Sequence, residues 1–254
     1  MAEEYKKRIH FIDEMRGILI IYVVLYHLLY DISQIFWVGS IDFMYSPWMN
    51  MLRDTMTGSL IAISGISCEF SRSNVKRGLK LFGTGMVLTA FTGIFIPSEF
   101  ILFGILHFFG ISILIYAFLK DALAKISVIP GFIGSMYLFF WTFHLYEGYV
   151  GILTKIPVKL PEQIRNLKIF YPIGFPVKGL YSADYYPIIP WIFLLFAGTF
   201  LGRFLKRGNL PEYAYRIHSK SLSFLGTHTL LIYIIHQPVI YIILYICQEV
   251  SLLL

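Results

Sequence analysis

The apolar residues of this chain are gathered into blocks of about twenty, the length a helix needs to cross roughly 30 Å of hydrocarbon. Seven blocks can be drawn, at about 17–36, 50–70, 80–97, 100–119, 127–146, 187–205 and 224–247. Inside lipid each backbone N–H and C=O has to be satisfied by the chain itself, so blocks of this length read as helices. The expected fold is therefore all-α: a polytopic integral membrane helical bundle of about seven transmembrane helices, forming a single domain over residues 1–254. Composition agrees, with 57% hydrophobic and 14% charged residues, against about 45–50% and about 25% in soluble domains. The block at 50–70 is the weakest, because Arg53 and Asp54 sit near its start.

Lys and Arg set the expected orientation. With the N-terminus in the cytoplasm, the inner segments hold Lys6, Lys7, Arg8, Arg16, Arg72, Lys76, Arg77, Lys80, Lys120, Lys125, Arg203, Lys206, Arg207, Arg216 and Lys220, fifteen of the 21. The outer segments hold Arg53, Lys155, Lys159, Arg165, Lys168 and Lys178. Five of these six share one long loop, where the positive-inside rule is weakest. The expectation is N-in, C-out. The net charge of +6 is then a topology signal. Nucleic acid is not an expected partner, since no basic cluster accompanies a nucleic-acid fold.

Charges followed by an apolar run imitate a signal peptide at the N-terminus. The run is about twenty residues and no small-residue cleavage site follows, so it reads as the first span. No internal repeat is visible, which weakens a transporter built from duplicated halves. The outer loop at about 147–186 is rich in Pro, Tyr and Lys. Loops longer than about 12–15 residues are usually functional or disordered, and its aromatics and prolines favour an ordered cap. Cys68 and Cys247 give no disulfide framework or metal spacing and read as small buried hydrophobes.

Ionisable residues within spans are costly and are candidates for function. Here they are His27, Asp31, His107, His144, His228 and His236. His27 and Asp31 are four residues apart, on one helix face. A carboxylate near one imidazole nitrogen can fix the tautomer and leave the other nitrogen as a base, the last two members of a nucleophile–base–orienter set. The alternative is a histidine that holds helices together, with Asp31 in the outer headgroups. His107 is flanked by Gly104 and Gly110, which let helices approach closely; it serves a cavity or an interhelical hydrogen bond. In His236-Gln237-Pro238 the proline frees the carbonyl of Ile234, so this stretch can line a cavity or simply kink. Haem ligation would draw on paired histidines of facing helices, a spacing not seen. Zinc would need three or four gathered ligands, and no metal is expected. The basic segment RSNVKRGLK, with Arg72, Lys76, Arg77 and Lys80, suits anionic lipid or a phosphate-rich cytosolic donor.

These residues carry a resemblance. RIHFIDEMRGILIIYVVLYHLLYD, at 8–31, resembles the opening of the heparan-alpha-glucosaminide N-acetyltransferase catalytic family, part of a wider superfamily of transmembrane acyltransferases. The matching positions are Asp13, Arg16, Gly17, His27 and Asp31. Further matches follow in order: SGISCEFSRS at 64–73, FGILHFFG at 103–110, DYYPIIPW at 184–191 and LLIYIIHQPVI at 230–240.

The resemblance implies acyl transfer through the membrane, from cytosolic acetyl-CoA to a hydroxyl or amine of an extracytoplasmic sugar or glycan. It implies His27 as general base with Asp31 orienting it, and His107 and His236 lining the cavity. Arg16, Arg72, Lys76, Arg77 and Gln237 fall to the donor; Asp184, Tyr185 and Trp191 fall to the acceptor. In the lysosomal member of the family the catalytic His lies further along. This chain has no His between 28 and 106, so neither that arrangement nor that enzyme's acceptor carries over. The resemblance also implies a multi-pass protein of the prokaryotic plasma membrane and is compatible with a homodimer. The rival function is a proton-coupled transporter or flippase using the same intramembrane His and Asp.

Overall fold

Apolar blocks this long can only satisfy their own backbone as helix, and helices dominate. The computed structural model describes residues 8–36, 41–151, 157–161, 163, 167–175, 177, 179, 180, 182–208 and 210–253. In chain order the helices are α1 (His10–Tyr30), continued by a π-helical turn (Asp31–Ile35), α2 (Ile41–Met44), α3 (Pro47–Phe70), α4 (Asn74–Phe95), α5 (Ile105–Ala124), α6 (Val128–Thr142), α7 (Ile188–Lys206), α8 (Lys220–Thr227) and α9 (Thr229–Leu253). A two-residue antiparallel ladder joins β1 (Tyr149–Val150) to β2 (Val158–Lys159).

Six of these helical stretches are long and apolar enough to cross a membrane: His10–Ile35, Asn74–Phe95, Ile105–Ala124, Val128–Glu147, Ile188–Lys206 and Thr229–Val250. The expected second span, 50–70, does form a helix within α3. Arg53, Asp54 and Glu69 leave it less apolar than the six. The expected first span, 17–36, begins earlier, at His10. The expected last span, 224–247, is two helices, with His228 at the break and α9 running on through Pro238. Large apolar side chains are exposed on these helices, as lipid contact demands; Ile94, Phe118 and Phe204 are examples. Cys68 is fully buried, but Cys247 is exposed on α9 and is not the buried hydrophobe expected.

The chain divides into two compact units, residues 1–60 with 209–254, and residues 61–208. In the first, α1 packs along α8 and α9. The approach to α8 is close because each helix places a glycine at the crossing, Gly17 on α1 and Gly226 on α8. A Cβ on Gly17 would strike the Leu222 carbonyl, and one on Gly226 would strike the carbonyl of Asp13. Small residues at such crossings let backbones meet, which is how helices associate without a hydrophobic driving force.

In the second unit α4 packs on α5, and α6 and α5 pack on α7. Two of its polar contacts tie helix ends together. Arg203 donates to the carbonyls of Leu123, Ala124 and Ile126, at 2.9, 3.0 and 3.1 Å, placing a positive charge at the C-terminal end of α5, where it is favourable. Glu69 is buried, accepts from the Tyr116 hydroxyl and pairs with Lys206. Of the loop at about 147–186, the described residues include a 3₁₀ stretch (Lys168–Ile173) and Tyr185, whose hydroxyl donates to Tyr171 O at 2.7 Å. Lys6, Lys7, Lys155, Arg165 and Lys178, which enter the charge-based orientation, lie outside the described residues.

Candidate active site

In the first unit, α1 carries His27 in an otherwise apolar stretch. Side chains on a helix lean toward its N-terminus, and His27 does so. Its Nδ1 lies 2.8 Å from the Val23 carbonyl. A carbonyl only accepts, so Nδ1 bears the proton and Nε2 carries a lone pair. His236 on α9 repeats the arrangement, with Nδ1 2.7 Å from Tyr233 O. Its Nε2 is buried and has no hydrogen-bond partner among the described residues. The two imidazoles meet edge to face, with centroids 4.8 Å apart.

Beside this pair, Gln237 Nε2 donates to Asp31 Oδ1 at 2.8 Å. Asp31 is fully buried. The amide is oriented by the carboxylate, which takes only its nitrogen end. Gln237 Oε1 is left buried without a partner among the described residues. The bond that sets the His27 tautomer is thus to a backbone carbonyl, and Asp31 holds Gln237 instead of the imidazole.

The result is a cluster rich in acceptors: Nε2 of His27, Nε2 of His236, Oε1 of Gln237 and the Asp31 carboxylate. Such a set suits a ligand that brings a proton, a hydroxyl or an amine, and can take that proton from it. Among the described residues no three His, Cys, Asp or Glu side chains gather as they would around a metal ion.

Toward the start of α1, Asp13 binds Arg8 at 2.6 Å and Arg16 at 3.2 Å. Glu14, also buried, accepts from the backbone N–H of His218 and Ser219 at 2.6 and 2.8 Å. It thereby satisfies backbone donors just before α8. Glu14 is not among the residues that the sequence singles out; its one visible signal is a second carboxylate beside Asp13 at the start of an apolar helix.

The other expected residues lie in the second unit. His107 is buried, and both its nitrogens are used. Nδ1 accepts from the Gly104 N–H at 3.2 Å, so Nε2 is the protonated nitrogen and donates to Thr89 Oγ1 at 3.2 Å. Asp184 Oδ2 accepts from the Ile105 N–H at 2.9 Å. His107 and Asp184 therefore meet at the first turn of α5, which they cap. Burial pushes the Tyr171 and Tyr185 hydroxyls up from their ordinary value, so both stay protonated. Trp191 is buried against Phe139, Phe143 and Tyr186. Arg72 and Lys76 are exposed. Arg77 turns inward, donating to Ser64 Oγ at 2.8 Å and toward Cys68 Sγ at 3.7 Å.

A family profile, heparan-alpha-glucosaminide N-acetyltransferase, catalytic, matches residues 8–238. The chain belongs to this family. The matched region contains the His27–His236 cluster and nearly all of the helical framework, so family and structure together support a transmembrane acyltransferase in general terms. No curated protein and no solved structure matches the chain.

Proposed function

We propose that the protein moves an acetyl or related acyl group from cytosolic acetyl-CoA to a hydroxyl or amine of an extracytoplasmic sugar or glycan. The observation that carries this reading is the pair of imidazoles whose Nε2 atoms are both left as acceptors in a buried, acceptor-rich cluster. In this reading His27 Nε2 takes the proton of the acceptor's O–H or N–H as that atom attacks the thioester carbonyl. The carbon–sulfur bond then breaks. The leaving thiolate takes the proton back from the imidazolium, which returns the base to its starting form. His236, edge-on to His27, shares the incoming hydroxyl or amine. Asp31 keeps Gln237 oriented, and Gln237 Oε1 holds a second N–H or O–H of the acceptor. A buried site keeps water from the thioester and strengthens local electrostatics.

The proposed topology is seven spans, N-in and C-out, with α3 as the polar member of the bundle. The membrane is the plasma membrane of a prokaryote. Arg16 then lies on the cytosolic side of His27, roughly 16 Å along α1 at about 1.5 Å per residue. Arg72 and Lys76 add positive charge to the cytosolic face. His107, Asp184, Tyr185 and Trp191 serve by shaping the second unit.

The test uses purified protein in detergent with labelled acetyl-CoA and crude envelope glycans. Transfer of label to glycan is expected, and His27→Ala or His236→Ala should each lower the rate by about 10²–10⁴-fold, the usual contribution of a general base. A wild-type protein that neither binds acetyl-CoA nor releases its acetyl group sinks the reading. Proton-coupled solute uptake into vesicles would put a transporter in its place.

A further inference from the structure

The first unit has a second polar feature, at the opposite end of α1 from the histidine pair. A cleft of about 380 Å³ is lined by Arg8, His10, Glu212, Tyr215 and Arg216. A guanidinium has five N–H donors, and each arginine spends one on a neighbouring carboxylate. Arg8 Nε donates to Asp13 at 2.6 Å, and Arg216 Nη2 donates to Glu212 at 2.8 Å. The outer N–H groups of both forks remain. The Arg8, Arg216 and Glu212 side chains are 59%, 72% and 82% exposed, so the cleft is open to a solute. Exposed pairs of this kind hold their partners weakly, and Glu212 can give way to a stronger anion.

His10 Nδ1 is buried and has no hydrogen-bond partner among the described residues. Tyr215 supplies an aromatic wall. The nearby carboxylates are already spent, Asp13 on Arg8 and Arg16, and Glu14 on the N–H groups of His218 and Ser219. Two guanidinium forks, an imidazole and a ring in one cleft match a phosphorylated nucleotide, because planar forks bind phosphate oxygens bidentately. His10 and His27 lie seventeen residues apart on one helix, roughly 25 Å at about 1.5 Å per residue. A donor with a phosphorylated nucleotide at one end and a thioester at the other has to span a comparable distance.

We infer that this cleft binds the phosphate-bearing nucleotide end of the acyl donor. The inference rests on the acyl-transfer reading above for the donor's identity, but not for the presence of a phosphate site. The test compares full-length wild type with an Arg8→Gln, Arg216→Gln double variant in detergent. Two donors are used: acetyl-CoA and S-acetyl-pantetheine, which lacks every phosphate. The variant should raise KM for acetyl-CoA at least tenfold, with the loss confined to KM, and leave KM for S-acetyl-pantetheine unchanged. Arg8→Lys with Arg216→Lys, which keeps charge but not the fork, should fall between. Equal KM values for acetyl-CoA in wild type and double variant overturn the site. A general folding defect is recognised because it depresses both donors together; titration with adenosine 3′,5′-bisphosphate then decides, as it does if wild type turns over neither donor. Saturable binding by wild type that the Arg8→Lys, Arg216→Lys variant weakens supports the cleft. Absent binding, or binding equal in the two, overturns it.

Discussion

Gln237 donates its side-chain amide to the Asp31 carboxylate at 2.8 Å, joining positions 206 residues apart in the chain. Asp31 is fully buried, and a hydrogen bond to a buried charge contributes more than a neutral one, about 1.5–3 kcal/mol. Gln237→Leu removes that donor and leaves the rest of α9 unchanged. The thermal midpoint in detergent should fall, as for a loss of that size. Gln237→Glu should cost more than Gln237→Leu, because it sets two carboxylates side by side. A leucine variant as stable as wild type would show that the amide does not support Asp31.

His107 illustrates the opposite case, an intramembrane histidine whose nitrogens are both occupied. His107→Ala leaves the Gly104 N–H without its acceptor. An unsatisfied buried donor costs about 1–3 kcal/mol. His107→Gln should recover part of the loss, since a glutamine at the third helical position can reach back to the N-cap N–H. The measurement is thermal unfolding of the three proteins, with acyl transfer assayed below the midpoint. Transfer should follow the folded fraction. A large drop in rate for a stably folded His107→Gln protein would restore a direct chemical role.

How much of this was readable from residue order differs from one group to the next. A bundle of long apolar helices was, because lipid imposes one length and one polarity. That His27 and Asp31 share a face was also readable from their spacing. Their roles toward one another were not. Helical side chains lean toward the N-terminus, which takes the His27 ring back to Val23 O and away from Asp31. The partner Asp31 does take, Gln237, is visible only once α9 is set against α1. Asp184 repeats the lesson: DYYPIIPW shows a carboxylate near a proline-rich turn, not that its oxygen meets the N–H of Ile105. The polar block at 50–70 stood out in the sequence as the weakest span, and α3 is the helix that falls short of the other six in apolarity.

The crossing of α1 with α8 predicts a steric effect. A Cβ on Gly226 would lie 2.6 Å from the carbonyl carbon of Asp13 and closer still to its oxygen. Both obstacles are backbone, so neither can swing aside. Gly226→Ala should destabilise by about 1–3 kcal/mol, the usual range for overpacking, although alanine is the better helix former by roughly 1 kcal/mol. Gly83→Ala on α4, where an added Cβ meets nothing within 4 Å, should raise the thermal midpoint slightly. Equal midpoints for the two variants would mean that α1 and α8 do not meet closely.

Glu99, in the 3₁₀ turn after α4 (Pro97–Glu99) and outside the spans, gives a prediction in pH. Partial burial holds its carboxyl above the ordinary value of 4.5. Between that value and the raised one, the folded chain keeps a proton that the unfolded chain has lost. Stability then falls as pH rises through this window. Below 4.5 the group is protonated in both states and costs nothing. Glu99→Gln carries no titrating proton, so its advantage over wild type should be absent at low pH, grow as pH rises past 4.5, and level off above the folded value. Thermal midpoints of the two proteins, measured in one detergent from pH 4 to pH 8, check this directly. A midpoint difference that stays constant across the range would show that Glu99 titrates as an ordinary surface carboxylate.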